Sequence, residues 1–156
     1  MLLALAGCAD PAARQLKPGM PVPVAPVDKV SLLSHPAPVN FDELPGPDGL
    51  KVRVFMFQNS KPEPVLVTGT VQFLLFEKNV TAEEMSSLEP CLVWTYSGDK
   101  LTQHAVRSRM GWCYAANLRW GTHKPTSTSV SLAALYRSPD GRAVYSEPVV
   151  IPMSVK

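Results

Sequence analysis

The sequence predicts an all-β fold, an antiparallel β-sandwich with one short helix, and three observations carry that prediction. Apolar residues alternate with polar ones at period two through most of the chain after residue 28, which is the pattern of half-buried strands. Turn-forming clusters such as Pro45-Gly46-Pro47-Asp48-Gly49, Ser97-Gly98-Asp99 and Ser138-Pro139-Asp140-Gly141 cut the pattern into short segments. Sixteen of the 156 residues are proline, nine of them at or before Pro47; fixed φ and missing N–H groups therefore exclude a helical bundle. With 46% hydrophobic and 18% charged residues, the chain has enough apolar side chains for a core, and its length fits a single domain.

Lys29 to Ser34 is the first strand. In Leu50 to Gln58, Lys51 and Arg53 alternate against Val52, Val54 and Met56. Val65 to Glu77 places Val65, Val67, Val71, Phe73 and Leu75 on one face, with Gly69 marking a bulge or bend. Cys91 to Ser97 follows, and Leu101 to Val106 is read as a further short strand. Met110 to Trp120 puts Met110, Trp112, Tyr114, Ala116, Leu118 and Trp120 on one face. Ser129 to Arg137 and Arg142 to Met153 pair as a hairpin across Asp140-Gly141. The helix is predicted after Thr81, where Glu84 three residues on completes a capping box, Val80 and Met85 are spaced as a hydrophobic staple, and Pro90 stops it. It is too short to form a layer and is expected to cross between sheets.

Strands separated by turns, without crossover helices, imply antiparallel pairing in two packed sheets. Cys91 and Cys113 lie too close in sequence for the inter-sheet bridge of antibody domains, so the expectation is an immunoglobulin-like or transthyretin-like sandwich over residues 28–156.

The N-terminus reads differently. Met1 to Gly7 is a short apolar run ending in Leu5-Ala6-Gly7-Cys8, followed by the small and polar Ala9-Asp10-Pro11-Ala12-Ala13-Arg14. Leu5-Ala6-Gly7-Cys8 resembles the lipobox of bacterial lipoproteins. The resemblance covers four residues and implies a truncated lipoprotein signal peptide at 1–7, cleavage before Cys8, and acyl chains on the Cys8 thiol that tether the protein to a membrane. The basic n-region and most of the apolar stretch of a secretory signal are not present in front of it. Ala9 after the cysteine implies, by resemblance to enterobacterial sorting, an outer-membrane lipoprotein of the cell envelope, facing the periplasm or the cell surface. Residues 8–27, with Met20-Pro21-Val22-Pro23-Val24-Ala25-Pro26, are read as a proline-rich extended tether; an edge strand with its prolines turned to solvent is the other reading of Val22 to Ala25.

Cys91 and Cys113 are an even pair in a compartment that permits disulfides, and form a candidate bridge; two separate buried thiols are the other reading. Charge is uneven along the chain, with 7 basic and 11 acidic side chains over 1–99 and 8 basic and 2 acidic over 100–156. Arg107, Arg109, Arg119, Trp120, His123 and Lys124 are the candidate binding face, since arginines beside aromatics suit anions and sugar rings. Strand parity favours the plainer reading, in which the aromatics fill the core and the arginines meet water. His35, His104 and His123 lack metal-ligand spacing. No nucleophile, phosphate-loop or dinucleotide motif is present. No catalytic residue, metal or cofactor is expected, and no nucleic-acid partner.

The sequence thus predicts a lipid-anchored, non-enzymatic sandwich that binds an envelope protein or glycan. A carrier holding a small ligand or metal between its sheets is the alternative, and an envelope-polymer hydrolase a third.

Overall fold

The computed structural model describes residues 17–153. The Leu5-Ala6-Gly7-Cys8 motif lies outside the described residues. The fold is an all-β sandwich of two antiparallel sheets with one short helix.

The first sheet has the order β1-β2-β6-β5, from β1 (Lys29–Ser34), β2 (Gly49–Phe57), β6 (Gly111–Arg119) and β5 (Ala105–Ser108). The second runs β4-β3-β7-β8, from β4 (Leu92–Ser97), β3 (Thr70–Phe76), β7 (Ser129–Arg137) and β8 (Ala143–Tyr145), and β9 (Val149–Pro152) also pairs with β7. Alternation along each strand turns one set of side chains toward the facing sheet. Leu32, Val52, Val54, Tyr114, Ala116 and Leu118 from the first sheet meet Val71, Phe73, Leu75, Leu132, Ala134 and Tyr136 from the second in one apolar core. The buried polar side chains take part in hydrogen bonds: Ser131 Oγ accepts from Val80 N at 3.0 Å and Ser146 Oγ from Ala134 N at 2.8 Å.

Four local expectations are corrected. The segment after Thr81 forms successive turns in place of a helix, with Glu84 N donating to Thr81 O at 3.1 Å and Ser87 N to Glu84 O at 3.0 Å. A helix this short does not recover its nucleation cost from its own hydrogen bonds, and here tertiary packing decides: Val80 and Met85 are buried together, against Leu74, Phe76, Ala133 and Leu135 on the outer face of the second sheet. The capping residues marked a chain reversal, and the spacing of Val80 and Met85 marked a buried pair.

The helix lies elsewhere. α1 spans Gly98–Gln103, where the sequence reads as a turn followed by a strand, and carries the chain from β4 in one sheet to β5 in the other. Gly98 begins it at φ +52 and Leu101 is its buried residue. The strand read as 65–77 begins only at Thr70, after Gly69 at φ +126. A Cβ on Gly69 would stand 2.4 Å from the Arg137 carbonyl oxygen, so close approach to β7 and the positive φ both require glycine there. The strand read as 142–153 is β8 and β9, divided at Ser146-Glu147-Pro148; β7 pairs with both, the register shifting by one residue between them as in a bulge.

The described part of the tether also departs from its expected role. Residues 17–27 lie on the sandwich. Val24 N donates to Leu66 O at 2.9 Å, Thr68 N donates to Val24 O at 3.0 Å, and Gln58 Nε2 donates to Pro26 O at 2.7 Å. Val27 is buried in the core, and Lys17 Nζ donates to Ala105 O. Prolines at 21, 23 and 26 leave Val24 with an N–H to give, and Val24 makes a parallel bridge with Val67. The folded body therefore begins by Lys17, eight residues beyond Ala9 in the chain.

Candidate functional site

The six basic and aromatic residues expected to form one face are divided by β6. Arg107 stands opposite Trp112 at one end of this strand, and Arg119 closes the other. At about 3.3 Å per residue, the nine-residue strand separates these ends by roughly 26 Å. Arg109 is exposed in the tight turn between β5 and β6, on the Arg107 side. His123 and Lys124 are exposed in the loop beyond Arg119, whose guanidinium carbon lies 5.5 Å from the centre of the Phe41 ring. Trp120 belongs to neither group: it is 3% exposed and packs in the core. The parity reading holds for Trp120, and the expected single face becomes two groups at opposite ends of one strand.

A cleft of about 370 Å³ opens beside the first group. Its walls are the docked segment at Gly19 to Val24, the stretch from Lys61 to Leu66 that follows β2, and Arg107, Gly111 and Trp112 of the β5–β6 hairpin. The walls form because Val24 pairs with Val67 and Val65 with Met56, holding the two approach segments beside the hairpin. Gly111, at φ +116, lies so near Pro64 that a Cβ would come within 2.8 Å of its ring, so the hairpin closes against the proline only with glycine at that position. Trp112 is half-buried and packs on the main core with part of its indole left to the cleft wall. Lys61, Glu63 and Arg107 are exposed around it. Val22, 83% exposed, lines the cleft, and Met110, 58% exposed, adjoins Gly111. The opening combines an aromatic wall, proline surfaces, two cations and one carboxylate, the mix that holds an amphiphilic ligand by stacking and charge. Arg107 was legible as a candidate; Lys61, Glu63 and the wall at 19–24 were not, because they join it only through the docking of the N-terminal segment.

The candidate disulfide is not formed. Cys91 and Cys113 are free thiols, Cys91 at the bend just before β4 of the second sheet and Cys113 within β6 of the first. Cys91 is exposed beside β3, where its Sγ donates to Leu75 O at 3.3 Å; desolvation and the nearby Glu77 charge push its pKa up. Cys113 is buried in β6, and desolvation raises its pKa against the opposing effects of the Arg53 charge and a hydrogen bond with Ser108. Both are held as thiols, the unreactive form. Alternation explains the separation: Tyr114 faces the core, so Cys113 faces away from the second sheet.

His104 sits at the C-terminal cap of α1, its Nδ1 2.9 Å from Ala115 O and its ring edge-on to Tyr96 with centroids 4.8 Å apart. His35 and His123 are exposed. Among the described residues, no group of three or more His, Cys, Asp or Glu side chains is placed to hold a metal ion, and no helix is long and apolar enough to cross a membrane.

No protein-family model, no curated protein and no solved structure matches this chain.

Proposed function

We propose that this is a lipid-anchored protein of the bacterial cell envelope, tethered through acylated Cys8, whose sandwich binds a protein or glycan partner without acting on it chemically. The observation that carries the binding role is the cleft, where Arg107 and Trp112 of the β5–β6 hairpin, Lys61 after β2 and the docked segment at Gly19 to Val24 converge from three separate stretches of chain. The interior supports a binding module over a carrier, because apolar side chains from the two sheets interlock between them. Two thiols kept protonated offer no activated nucleophile. On this reading the acyl chains sit at the outer membrane, and the short span from Cys8 to Lys17, at most about 30 Å when extended, keeps the cleft near the bilayer.

Glycan and peptide arrays probed with the full chain carrying Cys8→Ala test the cleft. Trp112→Ala with Arg107→Ala in that background is expected to lower the signal on bound ligands at least tenfold, with thermal stability changed far less than binding. Undiminished binding by the double variant removes the cleft from the function.

A further inference from the structure

The first sheet has a second face, turned away from the core, and its composition is one-sided. The four strands β1, β2, β6 and β5 contain no aspartate or glutamate. Because Leu32, Val52, Val54, Tyr114, Ala116 and Leu118 point to the core, the alternate positions point outward; these include Lys29, Lys51, Arg53 and Arg119, with Phe55 and Cys113 buried on the same side between Arg53 and the Lys29 end. All four are exposed. The registers place them in order: Arg119 opposite Gly49, then Lys51, then Arg53, and Lys29 opposite Phe57. Counted along β2, the row extends for roughly 26 Å.

The surface beneath the row is grooved. Lys51 and Arg53 form the ridge between two depressions of about 260 Å³ each. His104, Ala115 and Asn117 line one of them, and Leu33, Ser34 and His35 the other. The small Ala115 side chain deepens the first. At one end the Phe41 ring lies over Gly49, where a Cβ would stand 2.8 Å from it, and Arg119 lies against the same ring. The carboxylates flanking the sheet are engaged: Asp28 Oδ2 accepts from Asn59 N at 2.7 Å, and Asp48 Oδ1 accepts from Phe41 N at 2.7 Å. Asp42 lies in the loop before β2, where its Oδ1 accepts from Leu44 N at 2.8 Å, and Glu43 is its exposed neighbour.

We infer that this outward face binds an acidic polysaccharide, its carboxylate or sulfate groups held by Lys51 and Arg53 and its chain lying along the row from Arg119 to Lys29. Repeated cations along one direction match repeated anions along a polymer. Ser34, Asn117 and the two histidines offer hydrogen bonds to hydroxyl groups beside the charges, and the Phe41 ring gives one sugar a surface to lie on. A grooved face bordered by hydrogen-bonding side chains fits a polymer strand better than a planar bilayer. The site is separate from the Trp112 cleft and does not depend on the acylation of Cys8.

The test uses the full chain carrying Cys8→Ala, titrated by calorimetry with polygalacturonate, dextran sulfate and neutral dextran, and by co-sedimentation with phosphatidylglycerol vesicles. Binding to at least one acidic polymer, none to neutral dextran, and a loss of at least tenfold with Lys51→Ala plus Arg53→Ala is the expected result. Lys78→Ala, which removes an exposed charge beyond β3 of the other sheet, leaves that binding unchanged. Should the alanine pair melt below the parent, Lys51→Gln plus Arg53→Gln gives the same reading on a fully polar surface. The inference is overturned if neither acidic polymer binds, if the charge-removed variants bind as tightly as the parent, or if the vesicles sediment the protein and the polymers do not engage it.

Discussion

Trp120→Ala is expected to destabilise the fold by about 3–5 kcal/mol, the range for deleting a large aromatic side chain from a packed core. Trp120 is 3% exposed among the apolar residues that join the sheets. Its backbone N donates to Asp48 O at 3.3 Å, and its own carbonyl accepts from His123 N at 3.0 Å, so the residue also holds the loop that follows it. For a domain of this size, the loss corresponds to a fall in Tm of roughly 10 °C. Urea denaturation of parent and variant measures it. A half-buried aromatic that serves a ligand, as Trp112 does here, would behave differently, with a smaller loss of stability than Trp120→Ala and with binding removed. Trp112→Ala and Trp120→Ala therefore separate a cleft tryptophan from a core one within a single strand and its first following residue.

Stability is expected to fall steeply in alkali. Tyr114 projects from β6 into the core, where its hydroxyl accepts from Val67 N at 2.8 Å and donates to Val67 O at 3.4 Å. Burial pushes its pKa up to about 12, the Val67 backbone bond opposing the shift and Tyr136 adding to it. An unfolded tyrosine titrates near 10. The folded state thus favours the neutral phenol: the contribution to stability is complete below about pH 10 and is lost as pH rises through about 12, with roughly 2–3 kcal/mol at stake. Desolvation raises the Tyr96 and Tyr136 pKa values as well, so they titrate in the same direction. Urea midpoints measured between about pH 9 and pH 12 should drop for the parent chain. Tyr114→Phe should start lower, because Val67 loses its side-chain partner, and should lose less across that interval. An equal alkaline loss in both proteins contradicts the assignment to Tyr114.

Much of the sandwich was legible because it rests on local alternation. Lys51 and Arg53 against Val52 and Val54, and Asn117 and Arg119 against Ala116 and Leu118, state which face of each strand is buried before any partner is known. The error at residues 81–89 arose because a capping box and a staple pair describe local geometry, while Ser131 and the outer face of β3 and β7 decided the conformation. The helix at Gly98–Gln103 was missed for a related reason: its single buried residue, Leu101, also fits a strand. The docking of residues 17–27 was hidden because alternating proline and valine serve equally as a free spacer or as a chain bound at Val24. The cleft joins residues near 20, 63 and 110, and the basic row joins β1, β2 and β6. Both depend on which strands lie side by side, and that order is set by packing between segments remote in the chain.

Growth of the native host with radiolabelled palmitate, followed by recovery of the parent protein and its Cys8→Ala variant, tests the proposed tether most directly. Label on the parent, with the protein in the membrane fraction, and an unlabelled variant released from that fraction is the predicted result. A parent protein that carries no label and fractionates as the variant does contradicts the anchored reading, leaving the sandwich and its two surfaces to be explained without a membrane.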